Sequence, residues 1–497
     1  MHATCLVEDL FAITGRGLVI FLVLPLLLSG TVAPAQESDQ PNILFVIADD
    51  WSWPHAGAYG DPVIQTPNFD RVAREGVLFE HAYVNSPSCT PSRASILTGQ
   101  WFWRLGGGGN LYGPLPPEHP LYTDLLEENG YHVGYTRKGW APGALGQRPR
   151  NPAGPQYDSF SAFLEQRPEG QPFSFWFGTH DPHRVYETGS GVASGISLDE
   201  IQLPAIFPDS PAVRGDVADY YYEVQRLDRE LGEMLEMLRR SGELDNTVVV
   251  VTSDNGMPFP RAKSNLYDMG VRVPLAIRWP EQGLGGRTVS DFVSLTDLAP
   301  TFLEIAGVPI PDVMTGRSLL TLLTSEASGQ IDTTRTEMYF GKERHVPAQE
   351  APDGGGYPMR AIRTADHLYI RNFRPDRWPS GTPHYERAFI YPAWYADTDG
   401  GPTKHYMIDN RYKDDTHQRL FDLAFAKRPA EELYDLNQDP DQLHNVALDP
   451  AYTQIKKELW NRLMGTLQTT GDPRVRGQGD LFDRQPYSGG IVRARGK

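Results

Sequence analysis

Cysteine is nearly absent from this 497-residue chain, which holds only Cys5 and Cys89. Cys5 precedes an apolar N-terminal run, so a processed chain would keep one thiol and form no internal disulfide. Basic charge is also scarce: Lys plus Arg number 46 against 63 Asp plus Glu, a formal net charge of −17. A field of that sign repels polyanions at long range and excludes a generic nucleic-acid binder; an anionic substrate would need a locally basic pocket. Long apolar runs are confined to Leu18–Leu28, LVIFLVLPLLL. That run is short for a membrane span, follows Arg16 and precedes Ala33-Pro34-Ala35, a small-x-small cleavage pattern. Residues 1–35 are therefore expected to be a signal peptide, cleaved near Ala35, with the mature protein exported to the periplasm or the extracellular space and lacking a stable membrane span. The alternative is an uncleaved anchor. Internal repeats and low-complexity blocks are missing too. The remainder, 40% apolar and 22% charged, has a globular composition, and its length suggests two domains.

Buried runs carry the fold reading. Asn42–Ala48 (NILFVIA) ends at Asp49-Asp50, Phe173–Phe177 (FSFWF) leads to Gly178-Thr179-His180, and Thr247–Thr252 (TVVVVT) ends at Ser253-Asp254-Asn255. Continuous apolar runs of this length read as parallel strands covered on both faces. Tyr221, Val224, Leu227, Leu231, Leu235 and Leu238 recur at helical spacing before Gly242, and Leu298–Ile305 before Gly307 is a second helix. Helix followed by buried strand is an α/β pattern, in which sites form beyond the carboxyl ends of the strands. Asp49, Asp50, His180, Asp254 and Asn255 all lie at such ends and should converge. After about Thr333 the pattern changes to short alternating strands at Glu337–Phe340, Arg360–Arg363, Leu368–Asn372 and Glu432–Asp435, then a helix over Tyr452–Leu467. Residues 36–333 are thus read as the catalytic domain and 334–472 as a smaller α+β domain with an antiparallel sheet. Residues 473–497 are read as a polar, poorly ordered tail.

The lone cysteine sits in Cys89-Thr90-Pro91-Ser92-Arg93-Ala94-Ser95-Ile96-Leu97-Thr98-Gly99. Pro91 suits a first helical turn and Gly99 a helix end, so Cys89 would stand at a helix N-terminus that favours an anion, with Arg93 nearby. This Cys-x-Pro-Ser-Arg-x-x-x-Leu-Thr-Gly stretch resembles the signature of the type I sulfatases, and the similarity runs from about Pro41 to Val446. The resemblance implies an alkaline-phosphatase-like fold with a mixed, mostly parallel central sheet flanked by helices. It also implies conversion of Cys89 by a maturation enzyme to Cα-formylglycine, whose hydrate is the nucleophile. On the family pattern Asp49, Asp50, Asp254, Asn255 and the modified Cys89 are metal ligands, and an all-oxygen set of this kind suits Ca²⁺. Arg93, Lys138 in Tyr-Thr-Arg-Lys-Gly-Trp, and Lys263 in Lys-Ser-Asn-Leu-Tyr would stabilise the sulfate, while His180 in Thr-His-Asp-Pro-His would protonate the leaving group. Taken singly, each of these is more often a helix cap, a surface charge or a bonded histidine.

One position departs from the pattern. The family commonly has Lys-x-His, and here Trp140 stands two after Lys138. That puts the collapse of the hydrate in question, with His183 and His81 as candidates to replace the missing base. Within the family the nearest resemblance is to the heparan N-sulfatases, or sulfamidases. It rests on Phe177–Arg184, Thr252–Pro260 and Tyr357–Arg360, and it implies a sulfated saccharide partner, N-sulfoglucosamine first and an O-sulfated, for example algal, glycan second. Arg184, Arg360 and Arg363 are candidates to contact a uronate or a neighbouring sulfate. Competing readings are a phosphatase or phosphodiesterase of the same superfamily, for which a histidine-rich zinc cluster is lacking, and a glycan-binding protein with unconverted Cys89. Oligomeric assembly is left open.

Overall fold

The computed structural model describes residues 40–280, 285–390 and 394–490, all within one compact unit. The expected signal segment, with Cys5, lies outside the described residues.

Eleven strands occupy two sheets among these residues. The first holds β1 (Asn42–Ala48), β2 (Val77–Tyr83), β3 (His132–Arg137), β4 (Phe173–Gly178), β5 (Thr247–Ser253), β6 (Leu275–Arg278) and β7 (Arg287–Ser294) in the order β3-β4-β1-β5-β6-β2-β7. Only β6 runs antiparallel to its neighbours, so the expected mostly parallel sheet is what forms. Alternation along β1 explains why its sequence is apolar throughout. Ile43, Phe45 and Ile47 enter the core on one face of the sheet, and Leu44, Val46 and Ala48 the core on the other. Each Ile, Leu, Val or Phe among them contributes about 1.5–3 kcal/mol on leaving water. The flanking helices include α1 (Pro67–Glu75), α2 (Cys89–Thr98), α3 (Pro211–Ser241) and α4 (Leu298–Ile305). Gly99 and Gly242 close α2 and α3 in the left-handed conformation, φ 60° and 75°, where glycine is unstrained.

The second sheet is antiparallel, ordered β11-β10-β9-β8, from β8 (Glu337–Lys342), β9 (Met359–Thr364), β10 (His367–Asn372) and β11 (Glu431–Asp435). One face packs on α5 (Thr453–Thr469) through Ile362, Tyr369, Leu459 and Leu463. Phe340, Met359, Ala361 and Leu368 instead join the core of the first sheet, so the two sheets share one interior.

The C-terminal segment corrects an expectation. Residues 473–490 are not a loose tail: Asp480–Arg484 is helical, Phe482 is buried, and Tyr487 meets Tyr112 edge to face at 5.2 Å. Asp472 anchors the segment as an acceptor for Arg360 Nε at 2.6 Å in a fully buried ion pair. Polar composition suggests disorder because it conceals two aromatic anchors, Phe482 and Tyr487.

Candidate active site

The four adjacent parallel strands β3, β4, β1 and β5 end on one edge of the sheet, and that edge carries the polar residues. Lys138 follows β3, His180 lies two residues beyond β4, Asp49 and Asp50 follow β1, and Asp254 and Asn255 follow β5. Asp50 takes a left-handed φ of 82°, a conformation Asp tolerates better than most side chains. The turn lets its N–H donate to Asp254 Oδ1 at 3.1 Å and its Oδ1 accept from Asn255 Nδ2 at 2.6 Å. Trp51 N–H donates to Ser253 Oγ at 2.7 Å, which fixes the same corner.

Cys89 enters this corner from α2, a helix buried along its whole length, with Sγ 3.6 Å from Asp49 Oδ1. Burial pushes its thiol well above the ordinary value. A nucleophilic thiolate needs the opposite shift. One turn on, Arg93 donates from Nε to Asp254 Oδ2 at 2.7 Å and from Nη1 to the carbonyls of Lys138 and Gly139 at 2.9 and 3.0 Å. It therefore ties α2 to the ends of β5 and β3. Its Nη2 has no hydrogen-bond partner among the described residues and stands 3.8 Å from Asp49 Oδ1.

Two lysines complete the corner. Lys138 Nζ donates to both oxygens of Asp49, 2.6 Å to Oδ1, and Lys263 Nζ donates to Asp50 Oδ2 at 2.8 Å and Asp399 Oδ2 at 3.1 Å. Burial raises the pKa of Asp49, yet Lys138, with His183, Arg93 and Lys263, outweighs it and holds the carboxyl far below its usual range. Asp50 shows the other balance. Burial pushes it up to about 6, and Lys263 and His183 offset only part of that. One ligand atom from each of Asp49, Asp50, Cys89 and Asp254 lies within 4.8 Å of the others. In the same corner, buried Asn255 Oδ1 has no partner among the described residues. Buried carboxylates, an orphaned amide oxygen and an acid that resists ionisation fit a hard divalent cation with oxygen ligands.

Above the corner opens a cavity of about 650 Å³ whose walls include Cys89, Lys138, Lys263, His180, His183, His345 and Asp399. His180 is exposed at the open side. His183 Nδ1 donates to the Arg184 carbonyl at 2.6 Å, and its Nε2 lies 3.9 Å from Asp50. His345 and Asp399 come from loops beyond β8, where no motif marked them.

Several sequence expectations need correction. Arg360 and Arg363 do not line the cavity: Arg360 is fully buried between Asp472 and Glu343, and Arg363 pairs with Asp268. Arg184 does line it, but its guanidinium is bidentate to Asp216 at 2.7 and 2.8 Å and stacks on Phe259. His81 is remote, stacked on Phe292 at 4.5 Å. Trp140 is 1% exposed in the core, so this position supplies packing and no proton chemistry.

The sulfatase family model matches residues 41–142 and 155–308, which span both acid-bearing strand ends, Cys89 and Lys263. The chain belongs to the sulfatase family. Sulfatases hydrolyse sulfate esters or sulfamates, and the family uses a metal and a formylglycine. A second model, for the C-terminal region of N-sulphoglucosamine sulphohydrolase, matches residues 261–373 of this sulfatase. Human N-sulphoglucosamine sulphohydrolase is 29% identical, over 87% of this chain and 91% of its own. An ulvan-active sulfatase of Formosa agariphila is 27% identical, over 88% and 81%. A solved structure described as a complex with its substrate D-glucosamine-2-N,6-O-disulfate shares the fold, with a TM-score of 0.62, 22% identity, and 88% and 99% coverage.

Proposed function

We propose that this sulfatase is an exported enzyme that removes the N-sulfate of glucosamine in heparan-type saccharides, with a Cα-formylglycine made from Cys89 by a maturation enzyme. The observation that carries the substrate class is the match of residues 261–373 to the C-terminal region of N-sulphoglucosamine sulphohydrolase. Export rests on the sequence reading of residues 1–35.

The geometry of the corner supports the following roles. Asp49, Asp50, Asp254, Asn255 and the oxygen that replaces Sγ of Cys89 would hold Ca²⁺. When bound, the ion supplies Lewis-acid polarisation of an oxygen at the reacting centre. Helix α2 points the Cys89 side chain at the cavity and keeps it from bulk water. Lys138 and Lys263, both in the cavity wall, stabilise charge on the sulfate oxygens. Arg93 acts one step back, holding Asp254 and the end of β3, with Nη2 as its remaining donor. His180, at the open side, delivers the proton to the departing nitrogen or oxygen.

Sulfate release from N-sulfoglucosamine, glucosamine 6-O-sulfate and an ulvan oligosaccharide tests the reading. Release from the first with a free amine left behind is expected. Turnover of an O-sulfated saccharide alone would replace it with an O-sulfatase, a reading that the ulvan-active relative supports. Turnover of a phosphate diester alone would point to the phosphatase branch. Saccharide binding without any release would point to a binding protein with an intact thiol.

A further inference from the structure

His345 is a buried titratable side chain in the cavity wall to which no step above gives a task. The residue is 4% exposed, and Nδ1 lies 2.8 Å from Oγ of Ser88, the residue that immediately precedes Cys89. The loop that carries it is fixed from several sides. Buried Lys342 pairs with Asp397 at 2.6 Å, and Asp397 also accepts from Val346 N–H at 3.1 Å. Arg344 N–H donates to Asn110 Oδ1 at 3.1 Å, and the Arg344 carbonyl accepts from Leu111 N–H at 3.0 Å. Two backbone neighbours and a buried ion pair thus hold the imidazole against the first turn of α2. No described residue hydrogen-bonds Nε2.

We infer that His345 is the proton acceptor that resets the nucleophile, an inference that rests on the formylglycine reading of Cys89. With the Nδ1 proton donated to Ser88 Oγ, the lone pair of Nε2 is left for the cavity beside Cys89. After sulfur transfer, the Cys89-derived carbon carries one hydroxyl and one sulfate ester. Nε2 takes the hydroxyl proton, the O–H electron pair becomes the second C–O bond of the aldehyde, and the ester C–O bond breaks. Sulfate leaves as the dianion, and water adds to the aldehyde to restore the hydrate. Burial lowers the ring's pKa to about 4 against the pull of Asp397, so the resting imidazole is neutral near neutral pH, and the proton it takes in this step passes on to solvent once sulfate has left. Trp140, packed in the core, does not compete for this task.

The test uses 4-nitrophenyl sulfate, whose good leaving group makes sulfur transfer fast and exposes the later step. Wild type, His345→Gln and Ser88→Ala are compared by kcat, KM and the quenched mass of the Cys89 peptide. His345→Gln should lower kcat by roughly 10²-fold with KM falling alongside it, so that kcat/KM is little changed, and a sulfate ester should accumulate on that peptide. Ser88→Ala frees the ring and should give the same adduct with a smaller loss, which covers the case in which the first variant does not fold. An unchanged kcat, or a loss of kcat without the adduct, overturns the assignment. A thiol at Cys89 in the variant alone would move His345 to maturation and also overturn it. A thiol in active wild type would instead refute the formylglycine reading itself.

Discussion

At the scale of single residues, the corner is a balance of buried charge. Three carboxylates, Asp49, Asp50 and Asp254, face Lys138, Lys263 and Arg93, yet Asp50 is still pushed up to about 6 and Asn255 Oδ1 still lacks a partner among the described residues. Asp254→Asn removes a negative ligand and breaks the 2.7 Å pair with Arg93. Its calcium affinity should fall by at least about tenfold, which corresponds to a loss of roughly 1.4 kcal/mol. The thermal stabilisation by added calcium should shrink accordingly, since a ligand at 100 times its Kd contributes about 2.7 kcal/mol. Equal calcium-dependent melting shifts in wild type and variant would take Asp254 out of the ligand set. The acids and Cys89 could be read in the sequence because each ends a recognisable run or opens a motif. His345 and Asp399 could not, because loop residues carry no periodicity and only the tertiary fold brings them to Ser88 and Lys263. Arginines mislead for a related reason. A lone Arg defaults to the surface, and only the fold reveals that Asp472 and Glu343 bury Arg360.

At the scale of elements, the site depends on how closely strand ends approach. Gly178 closes β4 beside Lys138: the Lys138 N–H donates to the Gly178 carbonyl at 2.8 Å. A Cβ on Gly178 would lie 1.7 Å from the Lys138 carbonyl oxygen, the same oxygen that receives Arg93 Nη1. Gly178→Ala must therefore shift the end of β3, and with it both Lys138 and the Arg93 clamp. Overpacking of this kind costs about 1–3 kcal/mol, and a lower denaturation midpoint should accompany a loss of kcat of tenfold or more. Wild-type kcat in Gly178→Ala would show that the position of Lys138 does not matter for turnover. The buried runs of β1, β4 and β5 were legible because parallel strands covered on both faces carry no polar interruption. Strands β2, β3, β6 and β7 were not singled out, since their sequences mix exposed and buried positions or are as short as four residues.

At the scale of the whole molecule, the second sheet and the C-terminal segment act as a brace for the loops around the cavity. Arg360 on β9 binds Asp472 and Glu343, Arg474 also pairs with Glu343, and Glu343 is two residues from His345. Asp472→Ala leaves a fully buried guanidinium short of one partner. It should destabilise the fold by about 3–5 kcal/mol in chemical denaturation, whereas a free surface tail would cost almost nothing. A stability unchanged within 0.5 kcal/mol, the usual scatter of surface substitutions, would show that the Arg360–Asp472 pair is no brace. If the nucleophile is made from Cys89, the mass of the tryptic peptide Glu75–Arg93 from active enzyme reads the change itself, and Cys89→Ala is assayed beside it. The expected result is a peptide lighter by the difference between thiol and aldehyde, sulfate release by the wild type, and none by the variant. An intact thiol in protein that releases sulfate, or turnover by Cys89→Ala, would contradict it.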